Sequence, residues 1–171
     1  EQAFSQLFAA IEAKDVDGII VATTTPDLTF PGTATLVQNE IKSGHGAVFD
    51  IQAACSGFIY ALGVANGLMQ TGQARRMLVI GAERFSNIVD WSDRSTCVLF
   101  GDGAGAVVVE AQEGGTGTVA DRGVLSTHLH ADGSFNEILR TSGGTATTKD
   151  SGVVIMDGKE VFRHAVTLMA D

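Results

Sequence analysis

The sequence has 171 residues, of which 44% are hydrophobic and 21 are glycine, and its formal net charge is −9. This length and composition are typical of a compact α/β protein with tight turns and exclude a disordered or fibrous chain. The excess of acidic residues argues against nucleic acid as a partner, because no basic stripe is available to neutralise phosphates.

The two cysteines, Cys55 and Cys97, form no CxxC pair. Their spacing therefore suggests neither a disulfide framework nor a zinc site, and we expect no metal and a reducing, cytoplasmic setting. The longest uncharged stretch, residues 51–74, is long enough to span a bilayer but carries polar side chains such as Gln52 and Asn66. We interpret it as a buried helix that follows a strand, not as a membrane segment.

Hydrophobic periodicity predicts alternating helices and strands in the first half of the chain. The predicted helices are residues 2–14, 33–42 and 55–72, and the predicted strands are residues 18–24, 46–53 and 75–83. These strands are apolar throughout and alternate with helices. The pattern therefore predicts a largely parallel sheet that is covered on both faces.

The pattern changes after Glu83, where shorter apolar runs are separated by glycines. Strands are predicted over residues 95–102, 103–111 and 123–132, then a loop over 131–152, a short strand over 153–156 and a terminal helix from about 158. We expect the sheet to acquire an antiparallel part in this region.

Cys55 is the residue with the clearest chemical signal. The stretch FDIQAACSGFIYAL places it between a predicted strand and a predicted buried helix. Free backbone N–H groups and the positive end of the helix dipole at such a junction favour a thiolate, which is the nucleophilic form of cysteine. The small neighbours Ala54 and Ser56 would let a substrate carbonyl approach. A buried cysteine that serves only packing is the alternative.

The glycine-rich run GDGAGAVVVE, residues 101–110, raises the question of a dinucleotide site. A dinucleotide fingerprint follows a strand and opens a helix, whereas Val107, Val108 and Val109 are typical of a strand. We therefore expect no dinucleotide here. The glycines are predicted to permit a sharp bend between two strands.

Taken in chain order, six segments resemble the β-ketoacyl-acyl-carrier-protein synthase III family: IIVATTTPD, FPGTATLVQ, FDIQAACSGFIYAL, RMLVIGAERFS, SDRSTCVLFGDGAGAVVV and MDGKEVFRHAV. The resemblance implies a thiolase-like α/β fold with a mixed, mostly parallel sheet covered by helices. It also implies the first condensation of type II fatty acid synthesis, in which an acyl-CoA, such as acetyl-CoA, is joined to malonyl-acyl carrier protein with loss of CO2. Acyl-CoA is then a substrate, and no cofactor is expected.

The resemblance also implies roles for particular residues. Cys55 matches the nucleophile that is acylated by the CoA thioester, and Arg94 matches an arginine that contacts the adenine region of CoA. Phe30 matches an aromatic residue that crosses a homodimer interface to close the partner's acyl pocket. Arg163 falls where the family has a basic residue that could meet the acidic carrier protein. Residues matching the lining of the acyl and pantetheine channel are Phe85, Leu99, Phe100, Met156 and Phe162.

One part of the family pattern is missing. The family uses a histidine in an HQAN-like motif and a later asparagine to stabilise the enolate, and none of the four histidines here is followed by Gln-Ala-Asn. Residues 1–171 are therefore predicted to be a single, incomplete thiolase-like N-terminal domain, whose terminal helix leads toward a missing C-terminal half. We expect this segment alone to be inactive in condensation.

Two other functions stay open at this point. The protein could be a CoA-dependent condensing enzyme of secondary metabolism, or the segment could be an inactive dimerisation core.

Overall fold

A central strand, β1 (Gly18–Ala22), is buried along its whole length. In this computed structural model, the described residues are 11–118, 120–121 and 123–170. The helix predicted over 2–14 lies mostly outside them, and residues 13 and 14 belong to a short 3-10 helix, Ala13–Asp15. No helix in the described part of the chain is long and apolar enough to cross a membrane.

The described residues divide into two compact units. The first comprises the described residues up to Glu83 and then Gly103–Leu129, and the second comprises Arg84–Asp102 and the residues from His130 onward. The single domain predicted from the sequence stays a prediction.

The first unit is built on a four-stranded sheet with the order β2-β1-β3-β4. Its other strands are β2 (Ala47–Ile51), β3 (Arg76–Arg84) and β4 (Asp102–Glu110). Strand β1 pairs in parallel with β2 on one side and with β3 on the other. The predicted parallel sheet is therefore confirmed for these three strands.

Two helices connect these strands and cover opposite faces of the sheet. Helix α1 (Thr33–Ile41) joins β1 to β2, and helix α2 (Gly57–Gln70) joins β2 to β3. Because side chains alternate along a strand, Ile20 packs in the cluster with Ala61 of α2, whereas Ile19 packs in the cluster with Ala34 of α1. Burial of both faces explains why β1 is apolar throughout.

The second unit contains a two-stranded antiparallel ribbon, β5 (Leu139–Thr141) with β6 (Val154–Met156). A 3-10 helix, Gly133–Ile138, precedes the ribbon, and helix α3 (Gly158–Ala170) follows it. The ribbon is fixed to the preceding segment, since the Val154 N–H donates to the Ile88 carbonyl oxygen over 2.7 Å. The loop prediction for 131–152 missed β5, whose three residues are all exposed.

The strand predicted over residues 95–102 is wrong, because residues 94–99 form turns. The Asp93 carboxylate accepts hydrogen bonds from the N–H and hydroxyl of Ser95, and the Cys97 N–H donates to the Asp93 carbonyl oxygen. Such local bonds compete with extended structure. Val98 is consequently 72% exposed.

The strand predicted over residues 123–132 is also wrong, since this segment has no ladder partner. It packs on a helix instead of a sheet: a Cβ at Gly63 of α2 would lie 3.3 Å from the Thr127 hydroxyl oxygen and 3.7 Å from a methyl of Leu129. Tertiary packing on α2 therefore replaces strand pairing for these apolar residues.

The predicted strand after the glycine-rich run is confirmed as β4, but the predicted sharp bend is wrong. Gly103 and Gly105 lie inside β4, and a Cβ at either position would meet no atom within 4 Å. No helix follows these glycines directly, as the sequence indicated.

The two ends of α2 predict opposite effects of the same substitution. Gly67 is exposed within the helix with no atom near its missing Cβ, so Gly67→Ala is expected to raise the free energy of unfolding by roughly 0.5–1 kcal/mol. At Gly57 a Cβ would lie 3.2 Å from the Ala22 Cβ on a buried strand. Gly57→Ala is therefore expected to lower the free energy of unfolding. Urea unfolding of both variants measures this difference, and equal shifts would contradict it.

Candidate active site

Cys55 is exposed at the junction between β2 and α2. It lies in a 3-10 helix, Ala54–Ser56, which α2 follows directly. The predicted strand-to-helix position is therefore confirmed, with the α-helix beginning two residues later than expected. A cysteine that is buried for packing alone does not fit this exposure.

The backbone turns sharply just before Cys55. Ala54 has a φ of 45°, a left-handed conformation that residues with a Cβ rarely adopt. The Ser56 N–H closes the turn on the Ala53 carbonyl oxygen over 3.1 Å. Because Gly57 has no side chain, α2 begins in close approach to Ala22, the last residue of β1. The thiol is thereby presented at the carboxyl edge of the parallel strands, where ligands of open α/β sheets bind.

A carboxylate lies at the same edge of the sheet. Glu83, near the end of β3, accepts hydrogen bonds from the Thr24 N–H at 2.8 Å and from the Thr24 and Thr25 hydroxyls at 2.7 Å each. These threonines follow β1, so the carboxylate joins two neighbouring strands beyond the end of their ladder. Sequence reasoning missed this contact, although the run of threonines after β1 was a signal for it.

Residues 23–32, which we call the Phe30 loop, connect β1 to α1. Its far end is held by Asp50 of β2, whose carboxylate accepts from the N–H groups of Thr33 and Ala34 at 2.7 Å each. Residues 26–31 are exposed, and Phe30 is 83% exposed. The loop is thus fixed at both ends and presents an aromatic side chain to solvent.

In the second unit, Phe85 and Phe100 stack on each other, with ring centroids 5.1 Å apart and planes at 17°. The pair is held by Asp102, whose carboxylate accepts from the N–H and hydroxyl of Ser86 at 2.8 and 2.7 Å. These bonds lower the pKa of Asp102, the backbone bond having the larger effect. Two residues that the resemblance assigned to the channel lining are therefore in contact.

Arg94 is exposed in the turn that Asp93 organises. The Asp93 carboxylate accepts from Ser95 and, at 3.0 Å, from the Thr96 hydroxyl. The hydroxyl of Ser95, followed by its N–H, lowers the pKa of Asp93 below its ordinary value. Thr96 is fully buried, so its side chain anchors the turn on the side that faces the protein interior.

The other predicted residues of the second unit are exposed or half-buried. Leu99 and Phe162 are 63% and 71% exposed, and Met156 is half-buried at the end of β6. Arg163 forms an ion pair with Glu160 over 2.6 Å on the exposed side of α3. Each role that the resemblance gave to these residues stays a prediction.

Of the nine predicted site residues, Cys55 and Phe30 belong to the first unit and the other seven to the second. Within residues 11–118, 120–121 and 123–170, no three histidine, cysteine or carboxylate side chains are grouped so that they could hold a metal ion.

The family model and the curated relatives identify the same family. The family model described as 3-oxoacyl-[acyl-carrier-protein] synthase III matches residues 49–133. The β-ketoacyl-[acyl-carrier-protein] synthase III of Roseobacter denitrificans is 60% identical over 162 residues, which are 95% of this chain and 50% of the relative. The chain spans about half the length of the curated relatives it matches.

Solved structures agree with the sequence comparison. The 3-oxoacyl-[acyl-carrier-protein] synthase III of Aquifex aeolicus matches with a TM-score of 0.78 and 47% identity over 91% of this chain and 46% of that one. The enzyme of Pseudomonas aeruginosa matches with a TM-score of 0.80 and 35% identity over 96% of this chain and 50% of that one.

The mostly parallel sheet, the helices on both its faces and these neighbours define a thiolase-like fold. The chain belongs to the β-ketoacyl-[acyl-carrier-protein] synthase III family.

The lowered pKa of Asp93 predicts a pH-dependent stability. Because its pKa is lower in the folded state, the ionised carboxylate stabilises the fold at neutral pH, and this contribution is lost as the pH falls through the lowered pKa. Asp93→Asn is therefore expected to unfold at a lower temperature than the unsubstituted protein at neutral pH, and at nearly the same temperature in acid. Thermal unfolding across this pH range checks it, and a gap that widens in acid would contradict it.

Proposed function

We propose that the full-length protein is a β-ketoacyl-acyl-carrier-protein synthase III. It transfers an acyl group from an acyl-CoA, such as acetyl-CoA, to Cys55, and then condenses it with malonyl-acyl carrier protein. The position of Cys55 carries this proposal: the thiol is exposed, lies at the start of a long helix and stands at the carboxyl edge of the sheet. The names of relatives up to 60% identical support it.

The first half-reaction follows from this position. The Cys55 thiolate attacks the thioester carbonyl, and the bond between that carbonyl carbon and the CoA sulfur breaks, so that CoA leaves as a thiolate that takes up a proton. Backbone N–H groups at the start of α2, including that of Cys55, would stabilise the oxyanion formed on the way. A thiolate nucleophile needs no metal or prosthetic group for this step.

In the second half-reaction, loss of CO2 from malonyl-acyl carrier protein gives an enolate that attacks the acyl-Cys55 carbonyl and releases the cysteine thiolate. By the resemblance, the histidine and asparagine that stabilise the enolate come from residues outside this sequence. A cytoplasmic location fits these substrates and stays a prediction.

Phe30 is proposed to act in a homodimer, where it closes the acyl pocket of the partner subunit. Its 83% exposure on a loop fixed at both ends supports this role, because an aromatic side chain so presented is available to a neighbouring surface.

Arg163 is proposed to contact the acidic carrier protein. It lies one helical turn after Lys159, and both are exposed, so two positive charges share one side of α3 in an otherwise acidic chain. Its ion pair with Glu160 is exposed and therefore offers little resistance to a new partner.

Intact mass of the full-length protein after incubation with acetyl-CoA tests the nucleophile. We expect one acetyl group on the unsubstituted protein and on Cys97→Ser, and none on Cys55→Ser. Cys97 is the matched control, because it is the other cysteine of this sequence. An acetyl group that persists in Cys55→Ser, or that is lost only in Cys97→Ser, would show that Cys55 is not the acyl acceptor.

The carrier-protein contact has a separate test. Arg163→Ala is expected to raise the KM for malonyl-acyl carrier protein by up to about fivefold, the size of one exposed charge contact. Acetylation of Cys55 by acetyl-CoA should be unchanged, since that step does not involve the carrier. Steady-state kinetics with each substrate varied in turn give the answer, and an equal effect on both substrates would contradict a role in carrier binding.

A further inference from the structure

The three hydrogen bonds accepted by Glu83 are concentrated on the first residues of the Phe30 loop. Thr24 and Thr25 lie between the end of β1 and the exposed tip of the loop, residues 26–31. Bonds to an ionised carboxylate are shorter and stronger than bonds between neutral groups. This carboxylate therefore fixes the direction in which the chain leaves the sheet.

The other end of the loop is fixed independently. Asp50 accepts two N–H groups at the start of α1, and a Cβ at Gly32 would lie 3.0 Å from its carboxylate. The loop is also bonded to α1, since the Asp27 N–H donates to the hydroxyl of Thr33, the first residue of that helix, over 3.2 Å. A six-residue tip whose ends are both held in this way cannot move freely, so the position of Phe30 depends on these two carboxylates.

We propose that Glu83 is a positioning residue for acyl-group selection, which acts by fixing the Phe30 loop and thereby the place where Phe30 projects. The proposal rests on the proposed function of Phe30 as the wall of the partner's acyl pocket. Glu83 itself touches no reacting atom in this account. It determines which acyl groups fit, whereas Cys55 determines that transfer occurs.

The test is a double-mutant cycle in the full-length enzyme. The measured quantity is the selectivity ratio, the kcat/KM for acetyl-CoA divided by that for hexanoyl-CoA. Phe30→Ala and Glu83→Ala are each expected to change this ratio in the same direction, by roughly tenfold for Phe30→Ala, the discrimination that a hydrophobic pocket provides. If Glu83 acts through Phe30, the double variant should have the ratio of Phe30→Ala alone.

Two further variants separate positioning from a general loss of stability. Glu83→Gln keeps a carbonyl oxygen for the Thr24 N–H, and the threonine hydroxyls can rotate to accept, so its ratio should stay near that of the unsubstituted enzyme. Glu110→Ala is the matched control, because it removes a carboxylate that bonds Arg76 at the far end of β4. The selectivity ratio of Glu110→Ala should not change, even if the free energy of unfolding falls.

Should Glu83→Ala fail to fold, Thr24→Val combined with Thr25→Val removes two of the three bonds and should shift the ratio in the same direction. A ratio that is unchanged in folded Glu83→Ala or in the folded double threonine variant, or effects of Glu83→Ala and Phe30→Ala that simply add, would overturn the proposal. An unchanged ratio in Phe30→Ala would overturn it together with the role of Phe30, while acetylation of Cys55 would still support the proposed reaction.

Discussion

The close approach of α2 to β1 is the constraint on which the first unit depends. Gly57 stands at the start of the helix, and Ala22 ends the buried strand, so the two elements can meet with only small residues between them. The chain must reverse within a few residues of Ile51 to make this contact, and the left-handed Ala54 accomplishes the reversal. The packing of α2 compensates for the backbone strain at Ala54 and holds Cys55 at the turn.

Acidic residues stabilise this fold as acceptors for backbone N–H groups. From the sequence alone, the excess of acidic residues argues only against nucleic acid as a partner. The structure gives many of these carboxylates a backbone partner at the end of a strand or in a turn, which satisfies N–H groups that no ladder reaches. Among the described residues, carboxylates that accept from backbone N–H groups include those of Asp17, Asp50, Glu83, Asp90, Asp93, Asp102, Asp121, Asp132, Asp150 and Asp157.

The sequence predicts the elements whose burial is periodic, and it fails where single side chains decide. Strand β1 and helix α2 follow from apolar runs that a sheet covered on both faces requires. Residues 95–102 have the composition of a strand, but the side chain of Asp93 bonds the backbone locally and turns the chain. The position of Cys55 between a strand and a helix could be predicted because its sequence signal is local. Glu83 was missed because its partner Thr24 lies 59 positions away, and only the parallel pairing of β1 with β3 brings them together.

Cys55 and the Phe30 loop are held in place by different interactions, and this has a consequence for the proposed function. Cys55 is held by the backbone turn at Ala54 and by helix packing, and a side chain added at Gly57 would crowd Ala22. The Phe30 loop is held by side-chain hydrogen bonds, which one substitution can remove without disturbing the apolar core. Under the proposed roles of Cys55 and Phe30, substitution around Glu83 and Asp50 is therefore expected to change acyl selectivity while the acylation chemistry is retained.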